Sequence, residues 1–223
     1  VDNFETQLSD YLKVENSIGV SSGTDALLGI FMSLDLNPGD EILVTPFTFV
    51  SSASSIARAG LKPIFVDLAP NSFHPSIEQY EEAISPRTRG ILTVHLFGEP
   101  AKNLGCFGDG GAIITRSPSL NKKIRTICSH GAPQKYNTTV LGGNFRLDTL
   151  QASILSILLP QLPLWIDKRS QNAHFYTTRL QHLEKLTLPT PIEGHSWNQY
   201  TLRLKNRDGL KAFLDNKGVG NAI

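Results

Sequence analysis

Two hydrophobic rhythms share the first hundred positions. "FETQLSDYLKV" (4–14) puts Phe4, Leu8, Tyr11 and Leu12 on one face, a helical spacing. "SIGVSS" is a short apolar strand. "GTDALLGIFMSLDL" is apolar nearly all round, so it predicts a buried helix. After the turn "NPGD", "EILVTP" predicts a strand. "VSSASSIARAG" predicts a helix that closes on Gly60, a residue suited to the position past a helix end. "KPIFVDL" is a third strand and "PSIEQYEEAI" a helix with acid near its start. "RGILTVHLFG" is a fourth strand. The resulting order is β-α-β-α-β-α-β with Ile, Val, Leu and Phe in the strands. It predicts an α/β fold with a mainly parallel sheet flanked by helices, whose ligands sit beyond the carboxyl ends of the strands.

The rhythm then breaks. From the strand around Val94 the chain runs through "GEPAKNLGCFGDGG" directly into the strand "GAIITRS". A parallel crossover needs a dozen or more residues, usually with a helix. Either this strand pair is antiparallel or a segment is missing between Pro100 and Ala101. Farther on, "SPSLNKKIRTICSHG" predicts a helix with a basic face. "RLDTLQASILSILLPQL" predicts another, with Asp148 and Gln151 at capping-box spacing. "WIDKRSQNAHFYTTRLQHLEKL" follows a break at Pro160 and Pro163. "NQYTLRLKN" then reads as a strand and "DGLKAFLDNKGVG" as a helix. These divide the chain into a large domain, 1–164, and the start of a smaller, incomplete α+β domain, 165–223.

Composition narrows the function. The 223 residues carry 21 Lys and Arg against 20 Asp and Glu, a net charge of +1. That balance gives no electrostatic case for nucleic acid or an anionic membrane. No apolar run is expected to reach membrane-spanning length, because Ser and Asp interrupt the longest. The acidic, amphipathic "VDNFETQLSDYL" is not a secretion signal. Two cysteines, Cys106 and Cys128, make neither a disulfide framework nor a zinc pattern, so no metal is expected and a reduced, cytoplasmic location is the expectation.

Three stretches carry candidate chemistry. In "SSGTDALL" a strand ends, Gly23 frees the backbone, and a helix begins. Its first amides lack intrahelical partners, and Thr24 adds a hydroxyl: either an anion site or simply an N-cap at Thr24. In "TPFTFVSS", Phe47 and Phe49 fall near the same rim, as a stacking surface or as core. In "AKNLGCFGDGG", Lys102 is a solvated cation or an amine nucleophile that forms an imine with a carbonyl. The phosphate-loop pattern GxxxxGK[ST] is absent there, and the G-x-x-G spacing after it follows no predicted strand. An anion cup, an aromatic plate and an amine at one sheet rim together match the phosphate, ring and aldehyde of pyridoxal phosphate.

"SSGTDALL", "GDEILVTPFTFVSSASSIARAGLKPIFVDL", "ISPRTRGILTVHLFGEP", "AKNLGCFGDGGAIIT" and "GGNFRLDTLQASIL" resemble the DegT/DnrJ/EryC1/StrS family of pyridoxal-phosphate-dependent nucleotide-sugar aminotransferases, of fold type I. The resemblance implies that Lys102 is the lysine bonded to the cofactor and its proton carrier. Where members that act as sugar dehydratases have His, this chain has Lys. It implies that Gly23, Thr24 and the Asp25 amide bind the phosphate and that Phe49 stacks on the pyridine. Asn144 and Arg146 match a loop that reaches a neighbouring subunit's cofactor, hence a homodimer with shared sites. Glutamate and a nucleotide-linked sugar are the implied substrates, with "RLDTLQA" pointing to a UDP-linked 3-keto 2-acetamido sugar acid. The product would serve surface polysaccharide or antibiotic sugars. Between "HLFG" and "KNLG" the family carries a long segment with an Asp for the pyridine nitrogen, a Gln and a phosphate-binding Ser. None of the three stands here, which again puts a missing segment at 100–101. Two alternatives are a sugar dehydratase and a non-catalytic regulatory protein of the same fold.

Overall fold

Residues 1–70, 72–98, 104–134 and 136–223 are described by the computed structural model. The order is α1 (Asp2–Leu12), β1 (Asn16–Val20), α2 (Gly23–Ser33), β2 (Glu41–Val44), α3 (Ser51–Arg58), β3 (Lys62–Phe65), α4 (Ile77–Ala83) and β4 (Thr88–Leu92). It continues with β5 (Gly111–Thr115), α5 (Pro118–Cys128), α6 (Thr149–Leu158), α7 (Leu162–Leu180) and α8 (Arg207–Asn216). Val1–Leu96 and Leu104–Gln161 form one compact unit; Leu162–Ile223, with the described residues 97–98, form a second.

In the first unit the strands form two sheets. β3, β2 and β4 lie side by side and parallel, with Val44 opposite both Phe65 and Leu92. β1 pairs antiparallel with β5, Ile18 facing Ile113. The expected parallel frame is present in β2, β3 and β4. The strand after the break, β5, is antiparallel to β1 and is no neighbour of β4 among the described residues. β4 stops at Leu92, short of the predicted 98, and a 3-10 turn at Leu96–Gly98 follows.

α2 is apolar on all sides because it serves two cores. Ala26 packs with Ile18, Val20, Ile113, Ile124 and Cys128. Phe31 packs with Ile42, Val44, Ile56 and Leu61. Local signals set the ends of these helices. Gly39 and Gly60 take φ of 79° in the turn before β2 and after α3, a region glycine enters freely. Ser76 and Gln79 form the reciprocal cap of α4.

At the other end of α1, Glu5 is buried. One carboxylate oxygen accepts the Gly19 amide at 2.7 Å and the other accepts from Arg125 at 2.7 Å. This pair ties α1, β1 and α5 together. A Cβ at Gly19 would meet the Leu147 side chain at 2.9 Å, so any larger residue here makes Leu147 shift.

The second unit is built on α7 and the loop 195–200. His195 stacks on Trp197 at 3.9 Å, Trp197 meets Tyr200, and Tyr200 meets Tyr176 of α7. The Tyr200 hydroxyl lies 2.7 Å from Thr177 Oγ1, and Arg169 Nε donates to the Ser196 carbonyl. The predicted strand 198–206 is reduced to one bridge, Thr187 with Arg203. The helical stretch Thr149–Leu180 spans 32 residues and is long and apolar enough to cross a membrane by length and composition alone, a test that the core helix of a soluble protein also passes.

Candidate functional site

The site grows from the carboxyl end of β1. Ser21 and Ser22 turn the chain into α2, and Ser22, not Thr24, is the N-cap: its hydroxyl accepts the Asp25 amide at 3.0 Å. Asp25 Oδ2 in turn accepts from the Ser21 hydroxyl at 2.6 Å. The Asp25 amide is therefore engaged, while the Gly23 and Thr24 amides have no partner among the described residues. Gly23 is exposed, and nothing lies within 4 Å of where a Cβ would stand. Two free amides at a helix start, with open space beside them, suit an oxyanion.

A second strand joins this turn. At Gly111, the first residue of β5, an added Cβ would fall 2.7 Å from the Ser22 carbonyl carbon and oxygen and 2.9 Å from Gly23 N. Backbone thus lies directly on backbone. The described loop 104–111, ending in "GDGG", ends against the helix start.

Gln151 holds the same loop from the other side. Its side chain accepts the Phe107 amide at 3.0 Å and donates to the Phe107 carbonyl. The expected capping box with Asp148 is not formed; Asp148 alone caps α6, through the Leu150 amide. An amide side chain pairs two-fold with a peptide group, and Gln151 spends that capacity on the loop. Its i+3 spacing from Asp148 masked this role in the sequence.

Phe49 stands just before α3 and is 72% exposed. Phe47 is also exposed and stacks on Phe73 at 5.9 Å. Neither is core. The start of α3 meets the start of α2 through the buried Ser55, whose hydroxyl donates to the Thr24 carbonyl at 3.4 Å.

Asn144 and Arg146 are exposed: Asn144 bridges to Ser129, Arg146 bridges to Val20 of β1, and Arg146 Nε donates to Asn144 Oδ1 at 2.9 Å. Both line a cavity of about 600 Å³ with Glu5, Gly19, Arg125 and Cys128. Ser21 N donates to the Phe145 carbonyl at 3.0 Å, which brings this segment up to the turn before α2. Gly23, Thr24, Asp25, Asn144 and Arg146 thus share one end of β1, and α3, which follows Phe49 in the chain, reaches the same turn through Ser55. Lys102 lies outside the described residues, as does the 100–101 junction.

The other candidates settle into structural places. His95 is exposed, its ring 6.0 Å from the His74 ring. His130 takes φ of 60° after α5, and its amide donates to the Gly143 carbonyl. Burial, and then the charges of Asp25 and Arg125, act on Cys128; the net effect pushes its thiol up to about 11. Burial, then Asp109, raises Cys106. Among the described residues no cluster of His, Cys, Asp and Glu could hold a metal.

Comparison with known proteins places this geometry. The model of the DegT/DnrJ/EryC1/StrS aminotransferase family matches residues 1–104 and 99–223. A "pleiotropic regulatory protein" of Geobacillus stearothermophilus is 34% identical over 274 aligned positions, covering 100% of this chain and 74% of the relative. A UDP-2-acetamido-2-deoxy-3-oxo-D-glucuronate aminotransferase of Pseudomonas aeruginosa is 31% identical, covering 100% of this chain and 76% of its own. The crystal structure of S. venezuelae DesV in complex with a ketimine intermediate superposes with a TM-score of 0.92 at 32% identity, over 98% of this chain and 72% of that one.

Proposed function

The chain belongs to the DegT/DnrJ/EryC1/StrS aminotransferase family, and on that premise we propose that it moves an amino group from glutamate to a keto group of a nucleotide-linked sugar. Pyridoxal 5′-phosphate is the cofactor of this reading. The residues present fit it: the free Gly23 and Thr24 amides and the open space at Gly23 suit its phosphate, and the exposed Phe49 ring suits its pyridine. When bound, the pyridine ring accepts the electrons left as a substrate carbon loses its proton.

This chain's residues do the rest. The helix start of α2 binds the anion without a cationic side chain, through oriented amides. Phe49 covers one face of the ring and keeps water from it. The Lys102 amine would take up at Nζ the proton lost by the substrate carbon and pass it to the cofactor's carbon, acting as base and then acid. Gln151 holds Phe107, in the loop before β5, by two bonds. Asn144 and Arg146, both exposed in one cavity, are available to a neighbouring copy, which supports a homodimer with shared sites.

The Pseudomonas relative, named for a UDP-linked 3-oxo 2-acetamido sugar acid, supports a substrate of that class. The reading makes the enzyme a cytoplasmic supplier of amino sugars to surface polysaccharide. The observation that carries it is the packing of Gly111, nine positions after Lys102 in sequence, on Ser22 and Gly23 at the anion-binding turn. A second reading, regulation without catalysis, has the name of the Geobacillus relative in its favour. Half-reactions decide between them. With pyridoxal phosphate bound, glutamate is expected to change the cofactor's absorption, and a keto-sugar nucleotide to reverse the change. No spectral response to any amino donor would overturn catalysis in favour of regulation.

A further inference from the structure

Glu5 is a carboxylate that the proposed reaction does not use, yet it is buried beside β1 with 7% of its surface exposed. A buried ion pair is a poor source of net stability, and a leucine of similar size would avoid its desolvation. Its bonds show what it does instead. In an antiparallel ladder a hydrogen-bonded residue pair exchanges both of its backbone bonds. Along the edge of β1 away from β5, Ser21 N donates to the Phe145 carbonyl at 3.0 Å and Leu147 N to the Gly19 carbonyl at 3.3 Å. The return bond from Gly19 goes elsewhere: its N–H donates to Glu5 Oε1 at 2.7 Å. Farther back along the same edge, the Ser17 carbonyl accepts from Arg125 Nη2 at 3.0 Å. That nitrogen also donates to Glu5 Oε2 at 2.7 Å. An ion pair from α1 and α5 thus stands where the next rung of backbone would stand.

The consequence is where the chain turns. It leaves β1 after Leu147 and begins α6 at once, with Asp148 as N-cap. Asn144 and Arg146 lie on the short stretch beside β1, Arg146 bridging to Val20. Gly19 completes the arrangement, because the place of an added Cβ is 2.9 Å from the Leu147 side chain and 3.5 Å from Glu5 Oε1. A slip of one residue along β1 would turn Asn144 and Arg146 to the other face.

We propose that Glu5 and Arg125 are positioning residues: they end the β1 ladder at Leu147 and so fix the register in which Asn144 and Arg146 are presented. This rests on the reading that those two side chains serve a neighbouring copy's site. Glu5 and Arg125 act only through them.

Two measurements test it. In the cofactor-free protein, Glu5→Leu is expected to speed amide exchange at Ser21 and Leu147 by about tenfold or more, with β2 unchanged. Glu5→Gln keeps an oxygen for the Gly19 N–H and is expected to recover most of that protection. Equal exchange in Glu5→Leu and the unaltered chain would overturn the proposal. Activity is then followed in mixed dimers. A Glu5→Leu subunit keeps its own Lys102, and a Lys102→Ala subunit keeps a well-placed Asn144–Arg146 segment. Each alone is expected to be nearly inactive, and mixing them to restore activity several-fold, which damage confined to the Glu5→Leu subunit's own site would not allow. Arg146→Ala mixed with Lys102→Ala is the control. If that mixture stays inactive, the shared-site reading fails and the proposal falls with it. If it regains activity and the Glu5→Leu mixture does not, the proposal alone fails. Should Glu5→Leu not fold, Arg125→Met takes its place in both measurements.

Discussion

Gly111 fixes the site at the level of single residues. Its backbone angles carry no positive φ, so its necessity is one of space: the nearest atoms to an added methyl are backbone and cannot swing aside. Gly111→Ala is therefore expected to cost about 1–3 kcal/mol, as overpacking does, and to weaken pyridoxal phosphate binding by separating β5 from the turn. Urea unfolding and cofactor titration measure the two effects. Cys128 gives a second check. With its thiol at about 11 against an ordinary 9.0, the thiolate at neutral pH is about a hundredfold scarcer. Alkylation is expected to leave Cys128 unmodified in the folded protein and to reach it in urea. Equal rates in both states would contradict the packing described. Residue roles were legible where a motif was long: "SSGTDALL" identified the turn that Ser22 and Gly23 build. Gln151 was not legible, because its partner is a peptide group 44 positions away in sequence.

Elements were more legible than their ends. The helical spacing of α1, α2 and α5 and the apolar runs of β2 and β3 lie where the pattern placed them; β2 is buried throughout, whereas β3 is only half-buried and leaves Phe65 exposed. β4 was overextended, since "TVHLF" continues an apolar run while the ladder with β2 ends at Leu92. The strand expected at 198–206 has no ladder to join, and only Arg203 pairs. At the start of β2, Glu41 links three elements: the Ser85 hydroxyl donates to it at 2.5 Å and Lys62 at 3.1 Å. The Ser85 bond first, then Lys62, holds its carboxyl below the ordinary 4.5. A depressed folded-state value means the unfolded chain binds the proton more readily. The contribution is thus present above pH 4.5 and lost as pH falls through the lower folded value. Glu41→Gln is expected to flatten the fall in stability below pH 4.5 in acid titrations followed by circular dichroism. An unaltered acid limb would refute that role.

At the scale of the whole molecule, the missing crossover was the most informative irregularity in the sequence. Two sheets, one with a parallel ladder and one antiparallel, are the physical form of that break. What sequence could not give was the meeting of β5 with α2, which depends on β1 pairing with a strand about ninety residues later. That pairing brings "GDGG" to the helix start, and the account of function rests on it. Reduction with borohydride in the presence of pyridoxal phosphate, followed by peptide mass mapping, tests it most directly. The account predicts a pyridoxyl group on Lys102, lost in Lys102→Ala. A label on another lysine, or on none, would contradict it.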